Sequence, residues 1–247
     1  MSETYLYIFV SVFIVSLISL VGVIVLGMQE QRLRSVLMYL VSFSAGALLG
    51  DVFLHLLPEM VETQFGAAEG AYFLAGIIVF FLLERYILWH HSHGDHDESV
   101  HSSVYLTTIG DSLHNFIDGM VIAAAFLVSV PLGIATALAV IFHEIPQEMG
   151  QFAILLHGGW SKAKATWYNF LSALTSVAGA AVVVVFAGAS QEVPSVLLAL
   201  AGASFIYIAL SDIIPQIQKE QSQTKSFYQV ICLLGGIALM GLLLLLE

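Results

Sequence analysis

Residues 142–152 read FHEIPQEMGQF, and they sit between the apolar runs LGIATALAVI (132–141) and AILL (153–156). Runs of this kind belong in a bilayer, which makes the segment a membrane-spanning helix with polar residues near its middle. Burying an ionised side chain there is costly, about 2.5–3.5 kcal/mol for an aspartate at a helix centre even on the lenient insertion scale. The segment therefore raises both questions at once: what fold hides it, and what partner offsets its cost.

Composition answers the first. The chain has 247 residues, 59% of them hydrophobic and 10% charged, with a mean hydropathy of +0.92. That is too apolar for a water-soluble domain. Spanning-length segments fall near 5–27, 36–57, 68–89, 103–128, 132–156, 166–188, 193–215 and 226–246, each close to the roughly 20 residues that a crossing needs. The predicted fold is an all-α integral membrane bundle of eight helices, a single transmembrane domain over 1–247 with short loops. The first segment has neither a basic n-region nor a small-residue cleavage site, so it reads as a span rather than a secretion signal. The single cysteine, Cys232, excludes a disulfide framework and a cysteine zinc site. Several acids lie within spans, so the net charge of −11 does not argue for a basic partner. The lipid bilayer is the partner that this composition implies, with no nucleic acid.

Arg32, Arg34, Arg85, Lys162, Lys164, Lys219 and Lys225 all lie in or beside loops 1–2, 3–4, 5–6 and 7–8. The positive-inside rule puts those loops in the cytoplasm and both termini outside, with the cell membrane as the expected location. Residues 90–102 then form a cytoplasmic histidine-rich loop. Its His90, His91, His93 and His96 stand either in a solvated polar loop or in a low-affinity tract that collects metal. Small-residue stretches such as AGALLG (45–50) and LLGGIALMG (233–241) are of the kind that mediate helix contacts, a homodimer among them.

Two segments end alike. HLLPEM (55–60) closes span 2 and SDIIPQI (211–217) closes span 7, each with a polar residue, His55 or Asp212, three positions before proline. By the assigned topology they lie near opposite faces. This is the signature of inverted repeats, helices 1–3 and 6–8 around helices 4 and 5, a 3+2+3 arrangement.

The central pair carries the chemistry. GDSLHNFIDGMVIA (110–123) on span 4 spaces Asp111, His114 or Asn115, and Asp118 along one helix face. On span 5, His143 and Gln147, Glu144 and Glu148, and Gln147 and Gln151 repeat at i, i+4. The two stripes lie at similar depth, and lysine and arginine are confined to loops and span ends. A divalent cation is then the best partner for the carboxylates. Imidazole with carboxylate suits zinc, iron(II), manganese or cobalt. Pro146 deprives the Phe142 carbonyl of its helical donor, and such a carbonyl is expected to line a hydrated cavity. Asp51 and His55 are candidates for the outer entrance, and Asp111, Gln151, His157 and Asp212 for the pathway.

HNFIDG (114–119) and HEIPQE (143–148) resemble the HNxxDG and HEIPxE motifs of the ZIP (Zrt/Irt-like) metal transporters, and the resemblance covers essentially the whole chain. It implies a transport site lined by His114, Asn115, Asp118, His143, Glu144 and Gln147, through which zinc, or else iron, manganese or cadmium, enters the cytoplasm by alternating access. It also implies two adjacent metals in many members. Here Gln147 replaces the usual His or Glu, and span 6 (LSALTSVAG, 171–179) carries Ser172 and Ser176 but no acid. One well-formed site is therefore expected, at His114 and Asp118 with Glu148 or His143. Two rival readings remain. One is an intramembrane metal-dependent hydrolase, because HEIPQ is superficially like HExxH but lacks its second histidine. The other is a cation-diffusion-type exporter using an HxxxD pair.

Overall fold

The computed structural model describes residues 2–64, 66–92, 99–186 and 193–246. All secondary structure among them is helical, in eight successive rods. They are α1 (Glu3–Ile24), α2 (Gln31–Glu62), α3 (Ala67–Ser92), α4 (Ser99–Val128), α5 (Val130–His157), α6 (Lys162–Phe186), α7 (Val196–Ile217) and α8 (Gln223–Leu243). Seven are long and apolar enough to cross a membrane, and α3 adds a shorter apolar stretch, Ala67–Leu83. The exterior is lined with exposed apolar side chains such as Phe13, Leu74, Phe81 and Val185. A surface this apolar is matched to lipid rather than water. His93 and His96 of the expected histidine tract fall outside the described residues, as do the side chains of His90 and His91.

The turn between α4 and α5 positions the site. Ser129 is extended (φ −153°, ψ 155°), its hydroxyl accepts the Leu132 N–H, and Pro131 follows within the first turn of α5. Both are standard N-terminal signals. The hinge is one residue long, so α4 and α5 run back along each other. His114 lies 15 residues before Ser129 and His143 lies 14 after it. At about 1.5 Å per residue the two histidines therefore reach nearly the same depth, roughly 21–22 Å from the turn. At the far end, Gly159 (φ +83°) turns the chain toward α6. There the Lys164 ammonium sits 4.1 Å from the centre of the Trp160 ring and 3.2 Å from the Tyr105 hydroxyl.

Helix partners pair across the chain: α2 lies along α8, α3 along α7, α4 along α6, and α5 along both α1 and α2. Glycines allow the closest of these approaches. A Cβ on Gly119 (α4) would run into the Ser176 carbonyl, and one on Gly179 (α6) into the Phe116 carbonyl. Likewise Gly46 faces the Leu233 carbonyl and Gly236 the Phe43 carbonyl. The stretches AGALLG and LLGGIALMG therefore meet each other inside one chain. Helices α2 and α7 share a further irregularity. Each contains a π-helical turn, Val52–Leu56 and Ile208–Ile213, just before Pro58 and Pro215. Such turns occur frequently at functional positions.

Candidate metal centre

The polar stripes of α4 and α5 face each other, and four side chains converge. His114 Nε2 lies 3.2 Å from His143 Nε2, 3.5 Å from Asp118 Oδ2 and 3.4 Å from Glu144 Oε1. His143 Nε2 lies 3.2 Å from Asp118 Oδ2 and 3.5 Å from Glu144 Oε1. All four ligand atoms fall within 4.8 Å of one another. Ligands at about 2.0–2.1 Å around a tetrahedral zinc are separated by roughly 3.4 Å. The five close separations therefore have the edge length of a tetrahedral N2O2 cage.

His143 is also held in a suitable tautomer. His143 Nδ1 faces the Ala139 carbonyl one turn back at 3.2 Å, so Nδ1–H donates there and Nε2 keeps its lone pair for the centre. The Phe205 ring on α7 packs against the same imidazole, with centroids 5.9 Å apart at 64°. Asp118 Oδ2 and both Glu144 oxygens are buried without a hydrogen-bond partner. Oxygens orphaned in this way cost several kcal/mol in a dry interior unless an ion or water serves them.

The other expected residues separate from this cluster. Asn115 is buried, and its amide donates to the Asp111 carbonyl. Asp111 accepts a 2.6 Å hydrogen bond from Ser172 of α6. Glu148 turns toward α6 as well, where the Asn169 amide donates to it at 2.5 Å and also to the Ser19 carbonyl of α1 at 3.1 Å. Gln147 and Gln151 line a cavity of about 330 Å³ between α2, α5 and α7, together with His143, Asp212 and Gln216. Asp212 and Gln216 continue into a second cavity that includes Lys219 and Glu220. His157 lies exposed at the end of α5, its Nδ1 facing the Ala153 carbonyl. Asp51 and His55 are buried, with Thr136 Oγ1 3.5 Å from Asp51 Oδ1 and His55 Nε2 2.9 Å from the Met240 carbonyl.

The carbonyl left open by Pro146 finds a protein donor, because the Ser44 hydroxyl of α2 donates to Phe142 O at 2.6 Å. Asn169 and Ser44 are supporting residues of the site that sequence reasoning missed, and Ser172, noted in the sequence only as a position without an acid, is a third. Asn169 stands out in the sequence as a large polar side chain inside an apolar span, but its partner does not. Because its amide serves the buried Glu148, Asn169→Leu is expected to destabilise the protein by about 1–3 kcal/mol, the cost of leaving a buried polar group unsatisfied. Thermal unfolding in detergent, with Asn169→Gln as a comparison, measures it.

A helical membrane bundle with a buried two-histidine, two-carboxylate cage between its central helices belongs to the polytopic metal-handling proteins. The family model described as ZIP Zinc transporter matches residues 2–104 and 89–244, so this chain belongs to the ZIP family of zinc transporters. It is similar to "Zinc transporter ZIP13" of Pongo abelii, 36% identical over 221 residues that cover 82% of this chain and 65% of that protein. It is also similar to "Zinc transporter ZIP4" of Homo sapiens, 30% identical over 97% of this chain and 47% of that protein. "Zinc transporter foi" of Drosophila melanogaster is 40% identical over 61% of this chain and 21% of its own length. The chain thus spans less than two thirds of these relatives. The family match lends no support to the hydrolase or cation-diffusion readings.

Proposed function

We propose that this chain carries divalent transition-metal ions, zinc foremost, across a membrane into the cytoplasm by alternating access through His114, Asp118, His143 and Glu144. The observation that carries the reading is the tetrahedral spacing of these four donors among otherwise unserved carboxylate oxygens. Two imidazoles and two carboxylates suit zinc better than magnesium or calcium, which prefer all-oxygen cages. One ion per chain occupies the centre, since Gln147 offers only a neutral amide and lies on the cavity wall.

The path is suggested by what is open and what is shut. The cavity beside His143 continues past Asp212 and Gln216 toward Lys219, on the side that the basic loops assign to the cytoplasm. Asp51 and His55 are closed in on the other side, which suits an inward-facing state. The termini then lie outside, in the cell membrane, and the histidine loop would receive ions inside. A 3+2+3 inverted repeat is supported by the partner pattern. Exchanging helices 1–3 with 6–8, and 4 with 5, maps the α2–α8 pair onto α7–α3 and the α1–α5 pair onto α6–α4. It also maps one π-helical turn onto the other.

The purified full chain in liposomes is expected to admit zinc down its gradient, with flux lost in His114→Ala and Asp118→Ala. Undiminished flux in both variants would sink the assignment. Competition by iron, manganese and cadmium ranks the substrates, and anomalous scattering at the zinc edge counts the ions.

A further inference from the structure

The Ser44 hydroxyl on α2 stands between two carbonyls and has one proton to give. Its Oγ lies 2.8 Å from Leu40 O, one turn back on its own helix, and 2.6 Å from Phe142 O on α5. The two acceptors are not equivalent. Leu40 O has a helical donor available in the Ser44 N–H, whereas Phe142 O has lost its own because residue 146 is proline. Ser44 is fully buried, so water is not at hand to replace it. Its neighbour Phe43 packs edge-on against the Phe142 ring, with centroids 5.0 Å apart. Two consecutive residues of α2 thus grip the residue immediately before His143.

We propose that Ser44 is a positioning residue, a one-proton latch that holds the metal-bearing turn of α5 against α2 while the cavity is open. The inference rests on the alternating-access reading, since it requires a second arrangement of α5 against α2. In that arrangement Ser44 needs no new partner, because its proton returns to Leu40 O. The bond therefore breaks without stranding a donor, and Phe142 O is freed beside the ligand to meet whatever the moved helix presents. Without the latch, a buried carbonyl loses its donor only in the cavity-open state, which disfavours that state about tenfold.

The test needs no metal. In nanodiscs, the full chain carrying Cys232→Ser and Ile154→Cys reacts with a polar maleimide at residue 154, which is half exposed and lines the cavity. Ser44→Ala is expected to slow this labelling several-fold, up to about tenfold. In a Pro146→Ala background the restored amide serves Phe142 O, so Ser44→Ala is expected to change labelling by less than about twofold. If Pro146→Ala does not assemble, Pro146→Leu supplies the same amide. Unchanged labelling in Ser44→Ala, or an equal effect in both backgrounds, overturns the latch. Because labelling is read without zinc, it can fail while zinc flux succeeds, and the reverse.

Discussion

In His143→Ala, zinc affinity and zinc flux are expected to fall together by more than about 100-fold, since even supporting residues of metal sites cost 10–100-fold when removed. His143 is buried and, like His114, approaches all three other donors: its Nε2 is 3.2 Å from both His114 Nε2 and Asp118 Oδ2 and 3.5 Å from Glu144 Oε1. Losing it opens the cage and leaves Asp118 and Glu144 facing each other with a single imidazole. It also removes the ring that Phe205 and the Ala139 carbonyl hold in place. Calorimetric zinc binding to detergent-solubilised protein and uptake into liposomes read the two effects separately. Affinity within threefold of wild type would show that the ion binds elsewhere.

Gly119→Leu is expected to prevent assembly of the bundle. The Cβ alone would overlap the Ser176 carbonyl of α6, and the reciprocal Gly179 leaves no slack because it already abuts the Phe116 carbonyl. Backbone cannot yield as a flexible side chain can, so the overpacking cost is about 3 kcal/mol or more, on a helix that also carries Asp118 next door. Gly70→Ala is the comparison, because nothing lies within 4 Å of a Cβ there. It is expected to be neutral or slightly stabilising. Monodispersity on size exclusion and yield of folded protein decide it. A monodisperse Gly119→Leu that still binds zinc would mean that α4 and α6 do not approach so closely.

Much of the site is legible in residue spacing alone. The i, i+4 spacing of His114 with Asp118 puts both on one face, and the lack of basic residues within the spans leaves a cation as the natural partner. The similar depth of the two stripes is legible too, while the one-residue turn at Ser129 that produces it comes from the structure. The division of labour among the acids is not legible. Glu144 and Glu148 occupy equivalent positions on a helical wheel, one turn apart, yet Glu144 enters the cage and Glu148 turns to Asn169. Which way each points depends on where α6 crosses, and that crossing is set by Gly119 and Gly179.

FHEIPQEMGQF by itself determined a membrane helix with candidate metal ligands, because apolar flanks and unpaired carboxylates are local facts about cost. Tertiary structure alone decided that Phe142 is served by Ser44, Glu148 by Asn169, and the cage by two histidines and two acids. Those choices turn on distances between helices, and separations of a few tenths of an ångström leave no mark on residue spacing along the chain.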